Sequence, residues 1–282
     1  MTATRYFITG ATAGIGLAAA RRLAAPLDRG GEGAEVVLGV RNVAKAEALA
    51  GSIPGCRIVE LDLADLASVR TVRQRFDEPI DVLIHNAGVV SPGRQQTTDG
   101  FELDFGTNFL GPYALTAELI ELVTSRIVIV GSDAHKFGRI DFDDLQWTRR
   151  RFSAMPAYGA SKLADMLFGY ELTRRQQRLE VMLCHPGWAA TDLPRATSSD
   201  RLNSLLVKGS GLIAQSSDAG AACTVYAATA PIPTGSYVGP DGFTGQWGKP
   251  SLVGRDRRAH DPEVSARLWD VAAELTGAGI EV

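Results

Sequence analysis

Tyr158 and Lys162 stand four residues apart, a spacing that places both on one face of a helix. An ammonium beside a phenol favours the phenolate. Such a tyrosine can give a proton to a carbonyl oxygen or take one from an alcohol. Alone, a Y-x-x-x-K pair reads equally well as an ordinary pair on a helix surface. What changes the balance lies upstream, where Thr9-Gly10-Ala11-Thr12-Ala13-Gly14-Ile15-Gly16 forms a glycine-rich turn close to the start of the chain. With Asn86-Ala87-Gly88, Asn108 and Ser132 between them, the two patterns point to hydride transfer between a nicotinamide cofactor and a carbonyl or alcohol.

The glycine turn sits between a short apolar run and a helical pattern. Glycines at 10, 14 and 16 let backbone turn tightly and approach a ligand without Cβ clashes. The N–H groups of Thr12, Ala13, Gly14, Ile15 and Gly16 then face a pyrophosphate at a helix N-terminus. The spacing is G-x-x-x-G-x-G, not the commonest dinucleotide fingerprint, and a purely structural strand–helix turn is the competing reading. The end of the second strand selects the cofactor. A carboxylate there would bind a ribose 2′-hydroxyl, but the residues are Gly39-Val40-Arg41-Asn42. Arg41 can pair with a 2′-phosphate and stack on adenine, with Asn42 beside it, so NADP(H) is expected over NAD(H). A plain surface arginine is the alternative.

Asp62 follows the third strand, within reach of the adenine amino group, with Leu63 against the ring. Asp62 can equally cap a helix, a role for which Asp65 competes. Asn86-Ala87-Gly88 suits close passage along a ribose, or a turn that locks two strands. Ser132, at the carboxyl end of the fifth strand, can hydrogen-bond the substrate oxygen and hold it against Tyr158. Asn108, within a predicted helix, can hold through its side chain or backbone a water that relays protons from Lys162; a polar break in the helix is the other reading. Pro186-Gly187, with Trp188 and Thr191 close behind, falls where a nicotinamide carboxamide would sit, or is a simple turn.

These residues need a frame. Short apolar runs alternate with longer helical patterns, the signature of βαβ units and a parallel sheet. Strands are expected at 6–8, 36–38, 57–61, 82–84, 127–130 and 181–183, with a last one near 236–238. Helices are expected at 15–25, 65–76, 101–123, 158–176, 218–228 and 262–275. Most strands are continuous apolar runs, as befits burial on both faces. The expectation is a doubly wound α/β sheet of the Rossmann type in a single domain spanning 1–282. Two segments break the rhythm, 133–156 and 192–217, and the second is expected to form a substrate lid.

Composition sets limits. The chain has 282 residues, 45% hydrophobic and 22% charged, with a formal net charge of −3, which gives no reason to expect nucleic acid. Arg149-Arg150-Arg151 is the one basic run, and the acidic residues around it suggest a solvated loop. Cys56, Cys184 and Cys223 are far apart and make no metal spacing, so reduced buried thiols and no metal are expected. A first strand near Met1 leaves no room for a signal peptide, and no run is long enough to span a bilayer, so a cytoplasmic protein is expected.

Taken together, these motifs resemble the short-chain dehydrogenase/reductase family over residues 4–245. The stretches Val40-Arg41-Asn42, Ala134-His135-Lys136-Phe137-Gly138-Arg139 through Leu145, and Tyr158-Gly159-Ala160-Ser161-Lys162-Leu163-Ala164 resemble its retinol-dehydrogenase-like branch, which includes relatives of protochlorophyllide reductase. The resemblance implies a Rossmann fold, an NAD(P) cofactor and a catalytic tetrad at Asn108, Ser132, Tyr158 and Lys162. It also implies a preference for NADP. His85 and Gly131 depart from the pattern, and the Ser132–Tyr158 gap is longer than in most of the family. The reading is thus an NADP(H)-dependent carbonyl/alcohol oxidoreductase acting on a small, apolar or aromatic substrate. A non-catalytic NADP-binding sensor or scaffold is the alternative, and a dehydratase or epimerase a third. The helices at 101–123 and 158–176 offer a face for a homodimer.

Overall fold

A computed structural model describes residues 3–25, 34–187 and 216–281. The expected lid and the positions of Trp188 and Thr191 lie outside these residues. The order of elements is β1 (Arg5–Thr9), α1 (Gly14–Ala24), β2 (Glu35–Val40), α2 (Val43–Ala50), β3 (Cys56–Glu60), α3 (Leu66–Arg70), β4 (Ile80–His85), α4 (Leu103–Phe105), a π-helical turn (Gly106–Leu110), α5 (Gly111–Leu119) and β5 (Val123–Val130). It continues with α6 (Ala154–Arg175), β6 (Glu180–Cys184), α7 (Ser217–Thr229), β7 (Tyr237–Pro240), β8 (Pro250–Leu252) and α8 (Pro262–Thr276). One eight-stranded sheet has the order β3-β2-β1-β4-β5-β6-β7-β8, parallel except for the β7–β8 pair. The sequence therefore builds the doubly wound α/β sheet expected of it.

Alternate strand residues feed two cores. Phe7, Val37, Leu83, Ile127, Ile129 and Leu183 point to the face covered by α3, α5, α6 and α8. Tyr6, Ile8, Val36, Leu38, Ile84, Val128 and Cys184 point to the face covered by α1, α2 and α7. Burial on both sides explains why these strands read as continuous apolar runs. Among the described residues no helix is long and apolar enough to cross a membrane, and no acidic, His or Cys cluster is placed to hold a metal. The three cysteines are unpaired, and Cys184 and Cys223 are buried.

Several elements differ from expectation. Helix α2, missing from the sequence reading, is capped by Asn42, whose side chain accepts from Lys45 N (2.9 Å). The expected helix 101–123 stops at Leu119, and Val123 already opens β5. The expected helix 65–76 is α3 followed by a 3₁₀ turn, Val72–Gln74. There Thr71 Oγ1 turns back onto the carbonyls of Ala67 and Ser68, a local competition that bends helices. Helix α6 begins at Ala154, four residues before Tyr158, and β8 is an unexpected antiparallel edge. The arginine run sits in a loop rich in carboxylates, as anticipated: Arg150 pairs with Asp141 (2.9 Å) and lies over the Trp147 ring.

Helices α5 and α6, expected to offer a dimer face, pack mainly within the chain. Every residue of α6 from Ala157 to Leu172 is buried except Tyr158 and Tyr170, which are half-buried. Helix α8 packs against it, with Trp269 meeting Tyr113 of α5 edge-on (5.3 Å) and Phe168 of α6 (5.9 Å). Over most of its length α6 is therefore enclosed by elements of its own chain.

Candidate active site

The β1–α1 turn is shaped by what it packs against. Gly10 adopts φ +70°, and a Cβ there would stand 2.7 Å from Ala87 Cα. A Cβ on Gly16 would stand 2.3 Å from Asn86 Nδ2 and 2.6 Å from Gly10 O. Asn86 is drawn in by hydrogen bonds: its Nδ2 donates to Thr9 O (2.9 Å), while Thr9 Oγ1 accepts from the N–H groups of Asn86 and Ala87 (both 3.1 Å). Asn86 thus locks the ends of β1 and β4 together. Ala13, at the cap of α1, makes no side-chain cap bond, and the first turn carries no acid. The leading N–H groups are left to an anion.

A cleft of about 600 Å³ runs from this turn along the carboxyl ends of the strands. Thr12, Ala13, Gly14, Ile15 and Gly16 line it, as do Arg41, Asn42, Asp62 and Leu63. Asn86, Ala87, Gly88, Ser132, Tyr158, Lys162, Pro186 and Gly187 line the rest. Every described residue expected at the site therefore meets in one cavity, except Asn108. Two details refine the expectations. Asp62 Oδ1 accepts from Ala64 N (2.9 Å), and the α3 cap is Asp65, which accepts from Ala67 N (2.9 Å) and Ser68 N (3.4 Å). Lys45, one turn into the unexpected α2, also lines the cleft and adds a second cation near Arg41.

Asn108 lies in the π-helical turn, behind the cleft wall. Its Oδ1 accepts from Val89 N (2.7 Å), and its Nδ2 donates to Val89 O (2.9 Å) and Ser161 Oγ (2.9 Å). The side chain is occupied in holding the segment after β4, so of the two expected routes to a water, side chain or backbone, the side chain is taken up by protein. Asp104, one helical turn earlier, extends the same clamp by accepting from Ser91 N (2.8 Å). It is fully buried, and burial followed by the nearby Glu102 pushes its carboxyl up to about 7.

Lys162 reaches the cleft from the body of α6. Its Nζ donates to Val130 O (3.1 Å) and to Asp165 Oδ2 (2.8 Å). Burial disfavours the ammonium, but Asp165, Tyr158 and Asp104 outweigh it and raise the lysine above its ordinary value. Burial pushes Asp165 up to about 6 against the pull of Lys162. Ser132 follows β5 and opens a 3₁₀ turn, Asp133–Phe137, its Oγ accepting from Ala134 N (3.2 Å). His135 braces that turn. Its Nδ1 donates to Ser132 O (2.6 Å), so the ring is neutral and Nε2 accepts from Asp256 N (3.4 Å). Burial, which holds the imidazole below its usual range, agrees with that tautomer. Arg258 completes the brace by donating to Lys136 O (2.7 Å) and Gly138 O (3.1 Å).

Lys45, Asp104 and Asp165 escaped the sequence reading. The last two carried a spacing signal, Asp104 four residues before Asn108 and Asp165 three after Lys162, which puts each pair on one helix face.

A parallel sheet with a cleft across its carboxyl edge, at the point where strand order reverses between β1 and β4, defines a nucleotide-binding α/β protein of the Rossmann type. The chain matches the family model described as short chain dehydrogenase over residues 5–202, and it belongs to that family of oxidoreductases. It is 38% identical to human retinol dehydrogenase 13, over 96% of this chain and 83% of that protein, which places it in the retinol-dehydrogenase-like branch. A crystal structure of an uncharacterized protein from Mycobacterium paratuberculosis superposes with a TM-score of 0.84 at 39% identity, covering 99% of this chain and 95% of the other. A short chain dehydrogenase from Burkholderia cenocepacia in complex with NADP gives a TM-score of 0.61 at 25% identity, with 83% and 94% covered.

Proposed function

We propose that the protein interconverts a carbonyl and an alcohol by hydride transfer, with NADP(H) preferred over NAD(H) and with an apolar or aromatic substrate. The observation that carries this reading is one cavity with two ends. The glycine turn, Arg41 and Lys45 lie at the nucleotide end, and Ser132, Tyr158 and Lys162 lie at the other. The fit to a dinucleotide rests on the uncapped α1 terminus, the small residues Asn86-Ala87-Gly88, and two cations with no carboxylate among residues 39–42. The NADP-bound Burkholderia relative supports the same preference.

The cofactor, when bound, supplies or accepts the hydride. The chain's own residues manage the proton. Ser132 holds the substrate oxygen, and Tyr158 gives that oxygen a proton in reduction or takes it in oxidation. Lys162 stabilises the phenolate left behind and offers its remaining N–H to the ribose. The Asn108 carbonyl holds the water through which the proton is replaced. Phe137 and Met155 support an apolar substrate. They are 73% and 51% exposed, and they stand on the two elements that carry Ser132 and Tyr158.

The test is NADPH consumption with a panel of apolar and aromatic aldehydes and ketones, native against Tyr158→Phe. We expect turnover that falls by about 10²–10⁴-fold in the variant. Turnover at the native rate in Tyr158→Phe would overturn the assignment.

A further inference from the structure

Asp165 has no part in the scheme above, yet it is the closest charged group to the Lys162 ammonium. Both side chains are almost sealed from solvent, 4% and 5% exposed, and their charges meet at 2.8 Å. An ammonium has three N–H donors. Asp165 Oδ2 and Val130 O take two, which leaves one for the cleft. We propose that Asp165 is a positioning residue for this site: it aims the Lys162 ammonium and limits how much positive charge reaches Tyr158.

The argument is electrostatic. A lysine buried alone tends to shed its proton, and a partner carboxylate keeps it charged. A buried ion pair, however, presents a dipole rather than a bare cation to its neighbours, and in a poorly screened interior the difference is large. The other groups facing the pair are Tyr158 on the same helix, Asp104 from α4 and Cys184 from β6. Asp165 is the one that contacts Nζ. Removing its negative charge while Lys162 keeps its proton leaves the cation bare to Tyr158 and makes the phenol easier to deprotonate. Reduction needs both protons in place, so its high-pH limit moves down.

This inference rests on Tyr158 as the proton-transfer group, but its test reads Tyr158 directly. The phenolate absorbance of Tyr158 is isolated as the difference between otherwise identical proteins with and without Tyr158→Phe, in native and Asp165→Asn backgrounds. Asparagine keeps the volume and an acceptor for Nζ. We expect the Tyr158 step to move to lower pH by about one unit in D165N. The alkaline limb of carbonyl reduction moves the same way, and Asp165→Glu restores both. Should D165N fail to fold, Asp165→Ser, which leaves room for a water on Nζ, is read identically. A purely structural role predicts a lower melting temperature with the Tyr158 step unmoved. That outcome, or a shift to higher pH, overturns the proposal. If instead Tyr158→Phe turns over normally while the D165N shift is present, the functional reading fails and the positioning role stands.

Discussion

Asp104 is the residue whose cost is clearest. Its Oδ1 is satisfied by Ser91 N, but its Oδ2 is buried with no hydrogen-bond partner. A carboxyl held at about 7 keeps a proton that the unfolded chain releases near the ordinary carboxylate range. Stability from this group is thus present at low pH and is lost as pH rises from about 4 to 7. Asp104→Asn keeps the acceptor for Ser91 N and removes the ionisation. Urea denaturation across pH should show D104N more stable than the native protein at pH 8, by on the order of 2–3 kcal/mol. The gap should close toward pH 4. A difference that does not vary with pH would show that ionisation is not the cause. The same clamp explains why Asn108 is better understood as a brace for Val89 than as a ligand of water through its amide: all three of its side-chain bonds go to protein.

At the scale of elements, α8 decides how the two central helices are used. Trp269 fills the angle between Tyr113 and Phe168, and Arg175 lies over its ring at 4.9 Å. Trp269→Ala should cost roughly 3–5 kcal/mol, read as a lower denaturation midpoint; a loss under about 1 kcal/mol would mean that α8 is not anchored there. Much of this layer could be read from the sequence, because strands buried on both faces and a helix following a glycine turn leave strong patterns. The failures have physical causes. Helix α2 buries only Ala46, so it has almost no apolar periodicity to detect, and Lys45 was lost with it. Strand β8 is three residues long and only half-buried. The stop at Leu119 was hidden because Ile120 and Val123 are buried as well, so apolar character continues past Glu121 from helix into strand. At the site, the glycine turn, Ser132, Tyr158 and Lys162 were legible from type and order. Asp165 was not, because a carboxylate three residues from a lysine reads as a surface pair unless the helix is known to be buried.

At the scale of the whole molecule, the cleft spans both halves of the sheet, from Arg41 after β2 to Gly187 after β6. A ligand lying along it holds these halves together and stabilises only the folded chain. By linkage, a cofactor at about a hundred times its dissociation constant adds roughly 2.7 kcal/mol, which for a protein of this size is a melting shift of about 5–10 °C. The net charge of −3 provides no general attraction for phosphate, so any preference must come from local contacts. Arg41 and Lys45 are the cations in the cleft near the end of β2, and a 2′-phosphate would be their natural partner. Thermal melts at equal free concentrations should therefore show a larger shift with NADPH than with NADH. The double variant Arg41→Ala/Lys45→Ala should bring the NADPH shift down to the NADH value and leave the NADH shift in place. Equal shifts for the two cofactors in the native protein would refute the NADP preference. A loss of both shifts in the variant would instead mean that these side chains hold the adenosine end as a whole.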